Sequence, residues 1–234
     1  MTFGSLFAGI GGFDLGLERA GMQCKWQVEI DDYATRVLAK HWPDVQRFGD
    51  IAGVEDLPAV DLYTCGDPCQ PNSTASGARG SKKKSPAVHA LRLVAKHRPR
   101  FVLRENPSHV RTDATWPWWR FRRSLERLGY SCVPVRFRAC CFGADHQRDR
   151  LFLLAENANA NVVRLGFTRS QTTNNSRRSG SQVMQREYAN TTVPIRDYDW
   201  IPSRVDRLRC LGNAVVPQVA EWIGRQIMAA DRSE

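Results

Sequence analysis

The stretch Phe3-Gly4-Ser5-Leu6-Phe7-Ala8-Gly9-Ile10-Gly11-Gly12-Phe13 decides the fold. An apolar strand, Phe3 to Phe7, runs straight into a glycine-rich turn that opens a helix. Glycine lets the backbone approach a ligand at the carboxyl end of a first strand, the usual binding place of a doubly wound α/β sheet. Many tight strand-to-helix turns carry glycine; two acids further along the chain give this one its meaning. Glu29 comes after a second strand candidate, Cys24 to Val28, about twenty residues on, where an acid can hold the two hydroxyls of a ribose. Asp50, in Gly49-Asp50-Ile51, falls at the end of the next unit, where it could accept from an adenine amino group. The alternative for either acid is a solvated or helix-capping carboxylate, and their joint spacing favours the pocket.

Further along, short apolar segments recur at Val60 to Tyr63, Phe101 to Arg104, Cys132 to Phe137 and Leu151 to Leu154, with amphipathic stretches between them. Alternation of this kind predicts an α/β domain over 1–156 with a mostly parallel sheet flanked by helices. Ser85 and Pro86 read as an N-cap and first helical residue, succeeded by Ala87, Val88, Leu91, Val94 and Ala95 at helical spacing as far as Pro99. A second helix carries Phe121, Leu125 and Leu128 and stops at Gly129. The texture then turns polar and basic over 157–200, too poor in large apolar residues for a core of its own. From 201 to 234 the chain returns to the α/β domain, with a last helix on Val219, Ala220, Ile223 and Ile227.

The 234 residues can bury a proper core, and 34 Lys and Arg against 24 Asp and Glu give a formal net charge of +10. That balance favours a polyanionic partner, nucleic acid first. The basic residues cluster: Arg79, Lys82, Lys83 and Lys84 in one loop, and Arg164, Arg169, Arg177, Arg178 and Arg186 in the polar segment. No apolar run is long enough to span a bilayer and no signal peptide is legible, so a cytoplasmic protein is expected. Seven cysteines, with one adjacent pair and no C-x-x-C, form neither a disulfide framework nor a zinc pattern. Reduced thiols and no metal are expected.

One of those cysteines stands apart. Pro68-Cys69-Gln70-Pro71 comes after the apolar run ending at Tyr63, and its prolines keep Cys69 out of any helix or sheet ladder, a position for a nucleophile; the alternative is one of seven cysteines with no special role. Glu105-Asn106-Pro107 puts an acid at the carboxyl end of a central strand, where partial burial would raise its pKa into a useful range. Arg148-Asp149-Arg150 precedes another strand; its arginines could hold a phosphate or a base carbonyl, or form a surface ion-pair cluster. Gly212-Asn213-Ala214-Val215-Val216-Pro217 reads as a tight loop before the last helix.

In their order along the chain these residues resemble the DNA (cytosine-5) methyltransferases, over nearly the whole length except 157–193. The compact form is similar to solitary enzymes of phages and prophages. The resemblance implies a Rossmann-like fold dependent on S-adenosylmethionine, with a reduced target-recognition lobe. It assigns Phe7, Ala8, Gly9, Ile10, Gly11, Gly12, Glu29, Ile30, Asp50, Ile51, Asp67, Asn213 and Val215 to the cofactor pocket. Catalysis would fall to Cys69, Glu105, Arg148 and Arg150, acting on a cytosine flipped out of the duplex. Gln70, Ser73, Arg79, Lys82, Lys83, Lys84, Arg177 and Arg178 would contact nucleic acid. The partner implied is double-stranded DNA, bound by a monomer in a bacterial host cell; a partner restriction endonuclease stays open.

Three departures from the family pattern stand out. Asp67 replaces an apolar or aromatic residue, Asn72 a phenylalanine, and His146 a glutamine. The recognition region is also short, about forty polar residues, leaving either a few side chains reading a short site or binding that rests on phosphates. Trp116, Trp118 and Trp119 read as core residues before DNA contacts. Two alternatives stay open: a DNA-binding homologue without turnover, and an RNA cytosine-5 methyltransferase.

Overall fold

The computed structural model describes residues 1–67, 86–107, 118–143, 148–158 and 204–231. Seven strands, β1 (Thr2–Leu6), β2 (Gln23–Val28), β3 (Gln46–Phe48), β4 (Leu62–Cys65), β5 (Phe101–Pro107), β6 (Tyr130–Arg138) and β7 (Asp149–Asn157), form one sheet. Their spatial order is β3-β2-β1-β4-β5-β7-β6. The first five are parallel; β7 runs antiparallel between β5 and β6. The strand order reverses between β1 and β4, which opens a crevice at their carboxyl ends.

Six α-helices accompany the sheet among the described residues: α1 (Gly12–Arg19), α2 (Asp32–His41), α3 (Ala87–His97), α4 (Trp118–Arg127), α5 (Arg204–Asn213) and α6 (Pro217–Asp231). On one face Trp26, Tyr63, Val102 and Leu153 pack with Ala90, Leu93 and Val94 of α3 and Phe121 and Leu125 of α4. On the other, Phe3, Leu62, Leu103 and Phe152 pack with Phe13 and Leu17 of α1 and Val219, Ile223 and Ile227 of α6. The central strands are buried on both sides, so segments such as Phe101 to Leu103 and Leu151 to Leu154 read as unbroken apolar runs.

The C-terminal segment lies so close to α1 that at Gly12, Gly16 and Gly224 no side chain fits between them. A Cβ on Gly12 would sit 2.3 Å from the Val215 carbonyl oxygen, and one on Gly16 would sit 2.3 Å from that of Pro217. Small residues there let the C-terminal segment form the outer wall of the first helix.

Several boundaries differ from those expected. β3 is an edge strand of three residues with no apolar alternation. α3 begins at Ala87, with Pro86 as its cap, and ends in a left-handed Arg98. β5 continues through Glu105 and Asn106, and β7 already includes Arg150. Gly212 and Asn213, expected in a loop, close α5, and the link to α6 is only Ala214 to Val216. Trp118 is buried, whereas Trp119 is 45% exposed and has the Arg122 guanidinium over its ring; Trp116 lies outside the described residues. None of the described helices is long and apolar enough to cross a membrane.

Candidate active site

Five segments end at the crevice: the turn after β1, Glu29 to Asp31 after β2, Asp50 after β3, Gly66 and Asp67 after β4, and the end of β5. The first turn is left-handed at Phe7, Gly9 and Gly11, with φ of 56°, 58° and 85°. Phe7 bears a steric cost in this conformation that glycine does not, and strain of this kind marks positions fixed by their surroundings. Two hydrogen bonds fix the turn, Gly11 N–H to the Ala8 carbonyl at 3.0 Å and Ala8 N–H to the Val28 carbonyl at 3.1 Å. A Cβ on Gly9 would meet nothing within 4 Å, so this backbone faces open space.

Glu29 is aimed by the backbone around it. Its Oε2 accepts the Gly9 N–H at 2.7 Å and its Oε1 the Asp31 N–H at 2.8 Å. A carboxylate offers about four acceptor positions, so each oxygen keeps one for a donor in the crevice. Ile30 beside it is 67% exposed, and Ile51 is buried. Asp50 is exposed, with Oδ1 accepting the Ala52 N–H at 2.9 Å. Glycine backbone facing open space and a half-satisfied acid beside it fit an adenosyl cofactor.

Val215 is buried against Gly12, and Asn213 is exposed. Arg148, expected near a bound base, donates from Nη1 to the Gly212 carbonyl at 2.7 Å and from Nη2 to the Ala214 carbonyl. It thereby holds the end of α5 in place. Arg209, which the sequence did not single out, donates to Asp31 Oδ2 at 2.6 Å and ties α5 to the cap of α2. A basic residue in a weakly amphipathic stretch gave no signal for that contact.

At the end of β5 the alternation of a strand sends Leu103 and Glu105 to one face, Arg104 and Asn106 to the other. Glu105 is 5% exposed, and its Oε1 lies 2.7 Å from Arg150 Nε. Burial pushes its carboxyl up to about 7, against the attraction of Arg150 and Arg148 and with help from the charge of Asp67. Arg104 is buried and donates from Nε and Nη2 to the two oxygens of Asp67, at 2.6 and 2.7 Å. Asp67 was expected in the cofactor pocket; its carboxylate is instead engaged beneath the sheet end.

Cys69, Gln70, Ser73, Arg79, Lys82, Lys83, Lys84, Arg177 and Arg178 lie outside the described residues, as do Asn72 and His146. Among the described cysteines burial pushes the thiols of Cys24, Cys65, Cys132, Cys141 and Cys210 upward, away from the nucleophilic thiolate. No group of three metal-binding side chains occurs among the described residues.

The strand order, with its single antiparallel strand and its crevice at the switch point, defines a Rossmann-like α/β fold of the methyltransferase kind. Solved structures share it. A prophage-encoded E. coli protein assigned to DNA modification methyltransferases is 26% identical, with a TM-score of 0.56 over 68% of this chain and 47% of that one. The S. pombe Dnmt2 methyltransferase has the same fold at 19% identity and a TM-score of 0.57, over 68% of this chain and 51% of its own. A model of the C-5 cytosine-specific DNA methylases matches residues 1–198, and the chain belongs to that family.

Among the relatives, the Type II methyltransferase M2.BsuMI of Bacillus subtilis is 37% identical over 158 residues, 64% of this chain and 41% of that protein. The Type II methyltransferase M.CviJI of Paramecium bursaria Chlorella virus IL3A is 30% identical over 210 residues, 86% of this chain and 56% of its own. The chain spans only 36% to 56% of the length of these and three Herpetosiphon relatives.

Proposed function

We propose that this chain methylates C5 of cytosine in double-stranded DNA. The observation that carries the proposal is Glu105, a buried acid with a proton still available near neutral pH, standing beside Arg150 one strand away from the segment that leads into Pro68-Cys69. C5 of cytosine is a poor nucleophile. A thiolate bond from Cys69 to C6 turns the ring into an enamine, and a proton shared from Glu105 to N3 keeps negative charge from building on the ring as that bond forms. Arg150 holds Glu105 in place through the ion pair and offers a cation to the base or its backbone.

Glu29, Asp50, Ile51 and the Phe7 to Gly12 turn would hold S-adenosylmethionine, with Val215 behind the turn. When bound, it supplies the electrophilic sulfonium methyl that C5 accepts. Loss of the C5 proton then breaks the bond from C6 to sulfur, and Cys69 leaves as thiolate. The base must leave the duplex to reach Cys69. Lys82, Lys83, Lys84, Arg79, Arg177 and Arg178 would hold phosphates, and Gln70 and Ser73 would stand beside the base. Base reading falls to residues of 157–200.

The test is transfer of labelled methyl from S-adenosylmethionine to cytosine-containing DNA, with Cys69→Ser as the control. A covalent complex with DNA carrying 5-fluorocytosine, lost in that variant, identifies the nucleophile. No transfer to any such DNA refutes the proposal.

A further inference from the structure

We infer that Asp67 and Arg104 form a positioning pair that fixes Glu105 relative to the end of β4, a role that rests on the activity proposed above. The two residues stand at the carboxyl ends of neighbouring parallel strands, and Cys65 and Arg104 are partners in register. Their side chains are 4% and 1% exposed, and each oxygen of the carboxylate accepts one bond from the same guanidinium. A buried ion pair offsets its desolvation only with good geometry and further partners. This one has both. The Arg104 guanidinium lies 4.3 Å from the Phe121 ring centroid and 5.5 Å from that of Trp118. The Asp67 main-chain carbonyl accepts Asn106 Nδ2 at 3.2 Å, and its Oδ1 accepts the Cys65 thiol at 3.6 Å.

The consequence is mechanical. Arg104 and Asn106 flank Glu105 on either side, and both hold Asp67, one by its side chain and the other by its backbone. Glu105 therefore cannot shift along β5 without disturbing the residue from which the chain runs on to Cys69, two positions later. The pair is also electrical: the charges that act on Glu105 are Arg150 of β7, Arg148 just before it, and Asp67 just after β4, with Arg104 adjacent in the chain. A buried pair of this kind holds a strand end in one register, a task an apolar contact performs less strictly.

Four proteins test it: wild type, Asp67→Asn, Arg104→Leu and the double variant Asp67→Leu/Arg104→Leu. Single-turnover methyl transfer, S-adenosylmethionine affinity and the pH dependence of urea unfolding are measured on each. Loss of one partner leaves a buried charge or polar group behind, so the single variants lose stability, while the apolar double variant folds with a wild-type-like midpoint. All three keep cofactor affinity within about twofold and lose more than about tenfold in single-turnover rate. In Asp67→Asn the pH midpoint of the Glu105 contribution to stability moves down by about half a unit or more, because a carboxylate charge is lost and a cation left beside it.

Wild-type transfer by the double variant, or cofactor affinity falling in step with rate, overturns the inference. An unmoved pH midpoint in Asp67→Asn overturns it too. That last measurement needs no turnover: a wild type that transfers no methyl refutes the proposed activity, while the unfolding midpoint still decides whether Asp67 sets Glu105.

Discussion

Replacing Glu105 by glutamine should make the protein more stable, by a margin that grows between the unfolded and the folded pKa of the acid and levels off above neutral pH. The carboxyl ordinarily titrates near 4.5, and burial raises it to about 7 in the folded chain. A group whose folded pKa lies above its unfolded value binds its proton more tightly when folded. Its contribution to stability is complete at low pH and is lost as pH rises through about 7. At 1.36 kcal/mol per pKa unit the whole effect is about 3 kcal/mol, of which about 2.5 kcal/mol falls between pH 5 and pH 8. Glu105 is buried, so solvent screening does little to reduce this. Glutamine keeps the shape of the protonated acid and cannot ionise. Urea unfolding of both proteins at pH 5, 6, 7 and 8 should therefore give curves about 1 kcal/mol apart at pH 5 that separate to about 3 kcal/mol by pH 8, most of the change falling below pH 7 and the variant being the more stable. Methyl transfer by wild type should fall over the same interval as the acid loses its proton. A separation that is constant with pH, or of opposite sign, would refute the assignment of Glu105 as a buried acid poised near neutrality.

Glu29→Gln turns one N–H donor against the Gly9 or Asp31 N–H and should lower S-adenosylmethionine affinity by about tenfold or more, read by titration calorimetry. Gly16→Ala forces a methyl against the Pro217 carbonyl and should cost about 1 to 3 kcal/mol in urea unfolding, by overpacking of α1 against α6. Arg148→Ala removes two hydrogen bonds to Gly212 and Ala214; it should lower thermal stability and weaken cofactor binding, with a loss of about 1 to 3 kcal/mol in unfolding. DNA affinity should fall steeply with salt, and Lys82→Ala/Lys83→Ala/Lys84→Ala should flatten that slope in a filter-binding titration.

The parts of the fold legible in the sequence were those whose burial leaves a pattern. Strands covered on both faces, such as Phe101 to Leu103 and Leu151 to Leu154, announce themselves as apolar runs, and α6 shows its stripe at Val219, Ala220, Ile223 and Ile227, all buried. β3 left no such mark: three residues at a sheet edge need no alternation. α5 left none either, since Val205 and Leu211 stand 79% and 62% exposed and none of its described side chains is buried. The glycine turn, Glu29 and Glu105 could be found because their chemistry depends on position after a strand. The bonds of Arg148 and Arg209 to the far end of the chain could not, because a cation carries no sign of which distant carbonyl or carboxylate it will meet. Asp67 was visible as an unusual residue before Pro68-Cys69. Its answer, Arg104, sits inside a strand as a charge amid apolar neighbours, and two opposite charges at the ends of adjacent strands were the available signal.

The contact of α6 with α1 also orders events during synthesis. Gly12 and Gly16 leave the ribosome some two hundred residues before the Val215 and Pro217 carbonyls that cover them. Until then the first helix carries a bare groove, and the glycine turn at its head lacks its outer wall. The pocket is thus closed by a helix that emerges after every strand of the described sheet has been made.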